Sequence, residues 1–239
     1  LHQGKAIYGV GGGITWDSTW ESEYREVHQK AAVLYRKQAR FQLITTGKIS
    51  QKNLLFEEQH IERLRKASRY FAFPFDVEGL KQKIEEECQA CDINQDYRLR
   101  ISLSKSGEIA VDCQALEPLS PTFCQAKLCL QEANLQQAFT YFKTTHRPHL
   151  NLGKHEKIYH NTRGELLETS IGNLVLKIDG KLYTPPIRLG ILPGIYRQHL
   201  LETGQLEEKV LTFADIDQAE AIYGCNAVRG LYELILQEK

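Results

Sequence analysis

The sequence predicts a mixed α/β (α+β) chain of two small domains behind a distinct leading segment. Three observations carry that reading. Strand-like and helix-like runs are interleaved from Phe41 onward. The string Pro118-Leu-Ser-Pro121 reads as a linker between two groups of them. Residues 1–38 form a Gly-rich stretch of different character. The expected boundaries are 1–38, 39–121 and 122–239, and a chain of 239 residues can bury cores in such units.

The leading segment should open with a short apolar strand, Ala6 to Thr15, carrying the cluster Gly11-Gly-Gly13. A helix is expected from Glu21 to Gln38. Phe41 to Thr46 reads as a strand, Gly47 to Asn53 as a turn, and Leu54-Leu-Phe56 as a second short strand. Glu57 to Phe71 places Ile61, Leu64 and Ala67 on one helical face, with Pro74 as the stop. A further helix covers about Val77 to Cys91. Tyr97 to Ser104 alternates with period two, and Ile109 to Cys113 completes a hairpin. Beyond the linker, strands are expected near 127–130, 157–160, 174–178 and 181–183, with Asp179-Gly180 as a two-residue turn. A helix should span Ile195 to Thr203, and 219–237 should mix a short strand with a terminal helix.

Thirty Lys+Arg balance thirty Asp+Glu, which argues against a general nucleic-acid or membrane-surface role. No apolar run approaches the roughly 20 residues of a membrane span, and the opening Leu1-His-Gln-Gly-Lys5 shows no signal-peptide pattern. A cytoplasmic protein is the default expectation. Six cysteines include one close pair, Cys88 and Cys91. No second pair or histidine set stands at ligand spacing, so no metal site is expected and the thiols read as reduced and structural. Methionine is absent, even at position 1, and the start falls inside a patterned segment. Both features predict a fragment or a processed form.

Certain residues suggest chemistry. Lys143 stands in Tyr-Phe-Lys-Thr-Thr-His-Arg147, and Glu168 follows twenty-five residues later in Gly164-Glu-Leu-Leu-Glu-Thr-Ser-Ile-Gly-Asn173. A lysine that can condense with an aldehyde and a carboxylate that can hold a pyridinium nitrogen are what pyridoxal phosphate (PLP) requires of its protein. Taken singly, each is more often a solvated surface group. His60-Ile-Glu-Arg-Leu64 holds Arg63, whose simplest role would be a helix-surface ion pair with Glu58 or Glu62. Gly190-Ile-Leu-Pro-Gly-Ile-Tyr-Arg197 puts backbone N–H groups at a helix start, a good place for phosphate.

Together, in this order, these strings resemble the aminotransferase class IV family, the fold-type IV PLP enzymes, over roughly 200 residues. The resemblance implies a two-domain fold like that of the D-amino-acid aminotransferases, with PLP in the interdomain cleft. It makes Lys143 the catalytic and cofactor-linking residue, Glu168 the pyridinium partner and Arg63 a phosphate ligand. It adds backbone phosphate contacts from Ile195 and Tyr196, and from Asn226 and Ala227 in Gly224-Cys-Asn-Ala227. Tyr196 replaces the family hydroxyl residue, Val175 replaces an aromatic, and the family's opening strand is missing before Phe41. Within the family the similarity is greatest to the lyases that turn aminodeoxychorismate into p-aminobenzoate and pyruvate for folate synthesis. Gly9 to Ser18, followed by Glu21 to Glu26 and Lys30, resembles the C-terminal end of the chorismate-utilising enzymes. There the residues matching Glu23 and Glu26 serve magnesium; here the surrounding domain is absent, and the segment is expected to be catalytically dead. The implied partners are a small-molecule substrate, a second copy in a homodimer, and a synthase domain or glutamine amidotransferase in a longer protein. Two alternatives stay open: a branched-chain or D-amino-acid aminotransferase, and a truncated relic that serves as an interaction module.

Overall fold

The computed structural model describes residues 7–35, 40–131, 138–150 and 153–237. The chain divides into two units, 1–40 and 41–239. In the first, residues 7–15 form no strand, contrary to expectation, because nothing within the described part of that unit supplies a ladder partner. Ile7 and Ile14 are exposed. Helix α1 spans Trp20–Tyr35. Its start is set by Thr19, whose hydroxyl accepts from the Ser22 N–H. The expected last residues, 36–38, lie outside the described part.

The second unit is built on two sheets. Strand β1 (Leu43–Ser50) continues through the stretch expected to be a turn. The reversal comes only at Gln51 and Lys52, both in the left-handed region at φ 49° and 60°. Strand β2 shrinks to Asn53–Leu54, since Phe56 (φ 59°) already begins the helix. Helix α2 (Glu57–Phe71) buries Ile61, Leu64 and Ala67 as its pattern predicted. It stops before Pro74, where Ala72 turns to φ 55° and its N–H caps the Ser68 and Arg69 carbonyls. Helix α3 (Val77–Ala90) is capped by Asp76, whose carboxylate accepts from the Gly79 N–H at 3.0 Å. Strands β3 (Tyr97–Leu103) and β4 (Ile109–Ala115) complete an antiparallel sheet in the order β2-β1-β3-β4.

Period-two alternation gives that sheet two unlike faces. Leu99, Ile101 and Leu103 join Leu43, Ile49 and the apolar sides of α2 and α3 in one core. Cys88 and Cys91 sit in it, with Cys91 Sγ 3.7 Å from Cys113 Sγ. Arg98 and Arg100 take the other face, opposite Lys48 and Thr46 of β1.

Helix α4 (Pro121–Cys124) follows the linker. The remaining elements are β5 (Gln125–Leu130), α5 (Ala138–Tyr141), β6 (Lys157–His160), β7 (Leu166–Thr169), β8 (Asn173–Ile178), β9 (Lys181–Thr184), α6 (Ile195–Glu202), β10 (Glu207–Glu208), α7 (Phe213–Gln218), β11 (Ala221–Asn226) and β12 (Gly230–Leu236). Asp179 (φ 50°) and Gly180 (φ 74°) make the expected two-residue turn. The expected C-terminal helix is instead the hairpin β11–β12. Its turn is held by Asn226, whose Oδ1 accepts from the Val228 and Arg229 N–H groups, each at 2.9 Å.

The second sheet has eight strands in the order β10-β9-β8-β11-β12-β5-β6-β7, and β7 pairs back onto β8. That closure is a single register pair, Glu168 opposite Asn173. Leu166, Leu174, Leu176, Ile158 and Leu234 fill its core. Among the described residues, no helix is long and apolar enough to cross a membrane.

Candidate active site

Between the two sheets lies a cavity of about 490 Å³. One wall is the polar face of β1 and β3, and the other is built from the β7–β8 closure, the start of α6 and the β11–β12 turn. Lys143, Glu168, Arg63, Ile195, Asn226 and Ala227 all line it. Tyr196 does not: its ring packs between Phe56 and His199, leaving only its backbone near the helix start.

Lys143 is placed by its own backbone. Its carbonyl accepts from the Ile44 N–H at 2.9 Å, Thr144 bridges to Leu43, and the Thr145 N–H donates to the Gln42 carbonyl at 2.9 Å. The residues after the lysine thus add a short strand to the free edge of β1. The amine is pulled down to about pKa 7, first by loss of solvent and then by Arg63, Arg147 and Arg100, against a smaller opposing pull from Glu168. An amine with that pKa has a substantial uncharged, nucleophilic fraction at neutral pH, unlike an ordinary lysine.

Glu168 is 2% exposed and sits at the sheet closure. Burial pushes its carboxyl upward, and the Arg147 guanidinium, 3.2 Å away, is the main force opposing that rise. Asn173, across the closure, donates from Nδ2 to the Leu192 carbonyl at 2.8 Å. This bond fixes the Leu192-Pro-Gly194 segment, and Gly194 passes so close that a Cβ there would overlap Asn173 Oδ1. Gly194 is the N-cap of α6, whose first N–H groups have no intrahelical acceptor and open beside the cavity at Ile195. Arg197, the last residue of that motif, is buried and clamps the Pro185 carbonyl at 2.8 Å and Glu208 at 2.5 Å. Its work is structural.

Arg63 makes no helix-surface ion pair. Glu62 is bound to Arg65 instead, while Arg63 Nη2 donates to the Pro193 carbonyl at 2.8 Å. Its guanidinium is lowered to about pKa 10 by burial and by Arg147. On the same helix His60 is buried, with Nδ1 2.6 Å from Thr45 Oγ1, and is held neutral near pKa 3 by burial, Arg63 and Lys143. Asn226 spends its side chain on the hairpin turn and on the Ile171 carbonyl, so only its backbone is left to face a ligand.

Four cavity arginines were given no role by the sequence reading: Arg98, Arg100, Arg147 and Arg229. The signal for two of them was present. In Tyr97-Arg-Leu-Arg-Ile101 the arginines alternate with residues that are buried, which puts both on one face of the strand.

The comparisons with known proteins agree with this architecture. The family model for amino-transferase class IV matches residues 42–234, and the model for chorismate binding enzymes matches residues 1–36. The aminodeoxychorismate lyase of Saccharomyces cerevisiae is 24% identical, aligned over 76% of this chain and 67% of its own length. A solved candidate amino-acid aminotransferase from Mesorhizobium loti is 26% identical, with a TM-score of 0.72 over 82% of this chain and 100% of that one. The PLP-bound form of a hypothetical aminotransferase from Mycobacterium tuberculosis is 18% identical, with a TM-score of 0.67 over 82% of this chain and 81% of that one. With the matched family model spanning both sheets and the cavity between them, the chain belongs to the amino-transferase class IV family.

Proposed function

We propose that residues 41–239 form a PLP-dependent lyase that converts aminodeoxychorismate to p-aminobenzoate and pyruvate. The observation that carries the proposal is the cavity itself: an amine held near pKa 7 and a buried, arginine-paired carboxylate line one pocket. The chorismate-type match at 1–36 and the named yeast relative give the substrate.

The residues present fit the cofactor. Arg63 and the open start of α6 offer charge and N–H groups to a phosphate, and Gly194 leaves no side chain in the way. Glu168 offers a carboxylate to a protonated ring nitrogen, and Lys143 an uncharged amine to an aldehyde. When bound, PLP supplies an electron sink for the bond broken next to the substrate nitrogen.

The chain's own residues do the rest. Lys143 Nζ is the base that takes the proton from the amine-bearing carbon of the substrate, a task suited to an amine of pKa near 7. Glu168, paired with Arg147, would face the protonated ring nitrogen and favour its positive charge. Loss of the enolpyruvyl group as pyruvate aromatises the substrate ring and makes the reaction favourable. The cytoplasm is the expected site of action.

Incubation of the PLP-loaded chain with aminodeoxychorismate, without a keto acid, tests this. Equal amounts of p-aminobenzoate and pyruvate are expected. Amino transfer from leucine or D-alanine, with no p-aminobenzoate formed, would instead favour the aminotransferase reading, which shares the Lys143–Glu168–Arg63 frame.

A further inference from the structure

The cavity does not use all of its cations. Arg63 is tied to Pro193 and Arg147 to Glu168. Arg98, Arg100 and Arg229 remain on the walls. Among the described residues, Arg100 and Arg229 have no carboxylate partner, and Arg98 reaches Gln114 at 3.1 Å and a half-exposed Asp112 at 3.5 Å. The nearby Lys48 is already paired with Asp96. Glu168 is the only carboxylate on the cavity wall among the described residues. Such a cavity is short of negative charge, and an anionic ligand supplies it.

Strand register orders these cations along the cavity. Thr144 bridges to Leu43, Arg100 faces Thr46, and Arg98 faces Lys48. Arg98 therefore stands two residues beyond Arg100, about 7 Å farther from the lysine. Arg229 reaches the cavity from the opposite wall, on the β11–β12 turn, and its guanidinium pKa is lowered first by burial and then by the charge of Arg98. Two guanidiniums from different walls that line one cavity, with no carboxylate but Glu168 on its described walls, suit a ligand carboxylate.

We propose that Arg98 and Arg229 form an anionic subsite at the end of the cavity remote from Lys143, which takes the carboxylate that a substrate carries on the far side of its ring from the amine. The assignment rests on the lyase reading and deepens it. Aminodeoxychorismate bears no carboxylate on its amine-bearing carbon, so a pocket shaped for α-amino acids would waste its recognition. A clamp set farther along the strand from the lysine than Arg100 selects a carboxylate on the far side of the ring instead.

Calorimetric titration of the PLP-loaded protein with p-aminobenzoate and with its uncharged analogue p-aminobenzamide tests the proposal. Wild type should prefer the acid. Arg98→Gln and Arg229→Gln should each weaken p-aminobenzoate by about tenfold or more and leave p-aminobenzamide unchanged. Arg229→Lys, which keeps the charge, should retain most of the preference, and this guards against a loss caused by misfolding. Equal weakening of both ligands, or wild type that binds the acid no better than the amide, would overturn the subsite. Turnover of aminodeoxychorismate is read separately. A wild type that discriminates the acid through these arginines but releases no p-aminobenzoate would uphold the subsite and sink the lyase assignment.

Discussion

The molecule holds two pairings of a carboxylate with a cation that differ chiefly in surroundings. In the first unit Glu26 and Lys30 meet at 2.5 Å on α1, with both side chains nearly half exposed. In the second, Glu168 and Arg147 meet at 3.2 Å with the carboxylate almost wholly buried. Water screens the first pair, whose contribution to stability is small. The second stands in a medium of low polarity, where removing either partner strands a charge. The same contrast separates Lys30, which reaches back to the Gly11 carbonyl at 2.8 Å, from Lys143, whose amine is driven down to about pKa 7. Chemical motif alone does not create reactivity; enclosure does.

The comparison can be broken most severely at Lys143. Lys143→Ala should lower p-aminobenzoate formation by about 10³-fold or more, because it removes the base and the attachment point together. Borohydride reduction of the PLP-loaded wild type should fix the cofactor on Lys143, as peptide mass mapping would show. A labelled peptide from any other lysine would contradict the assignment.

A second break targets the buried pair. Arg147→Met should cost about 3 kcal/mol of stability in urea titrations, since Glu168 is left without its cation. The double change Arg147→Met with Glu168→Leu should recover much of it. If the single variant is as stable as wild type, Glu168 is not ionised in the folded protein.

The third prediction sharpens the contrast through pH. The folded Lys143 has a lowered pKa and the unfolded lysine an ordinary one, so the unfolded chain holds more protons between about pH 7 and the ordinary lysine value of 10.5. The penalty is complete below pH 7 and fades as pH rises through that window. Lys143→Met should therefore raise the melting temperature of the PLP-free protein at pH 6, with the advantage shrinking toward pH 10. The smallest effect is expected in the exposed unit: Glu23→Ala and Glu26→Ala should leave p-aminobenzoate formation unchanged within about twofold, in keeping with the small worth of exposed charges.

Much of this was legible in the sequence, for identifiable reasons. Helix α2 was readable to the residue because Ile61, Leu64 and Ala67 form a clean stripe. Strand β7 was missed, although it carries Glu168, because all four of its residues are buried and nothing alternates. The second strand of the C-terminal hairpin reads as a helix, because Leu231, Leu234 and Ile235 are spaced like a helical face. Gly230 at φ 67° and the Asn226 turn decide the matter, and neither has a periodic signature. Lys143 and Glu168 were found by resemblance, whereas Arg98 and Arg229 reach one cavity from two different walls, which cannot be seen in one stretch of chain.

The short strand that Lys143 to Thr145 adds to β1 has a mechanical consequence. In the order of the chain the lysine belongs with the eight-stranded sheet, yet it is stitched to the edge of the four-stranded one. Arg63 makes the reciprocal stitch, from α2 to Pro193. If the two halves were to hinge, Lys143 would travel with Thr46 and Arg100, and its distance to Glu168 would change. The cavity is then a clasp whose jaw angle sets how far the amine stands from the carboxylate.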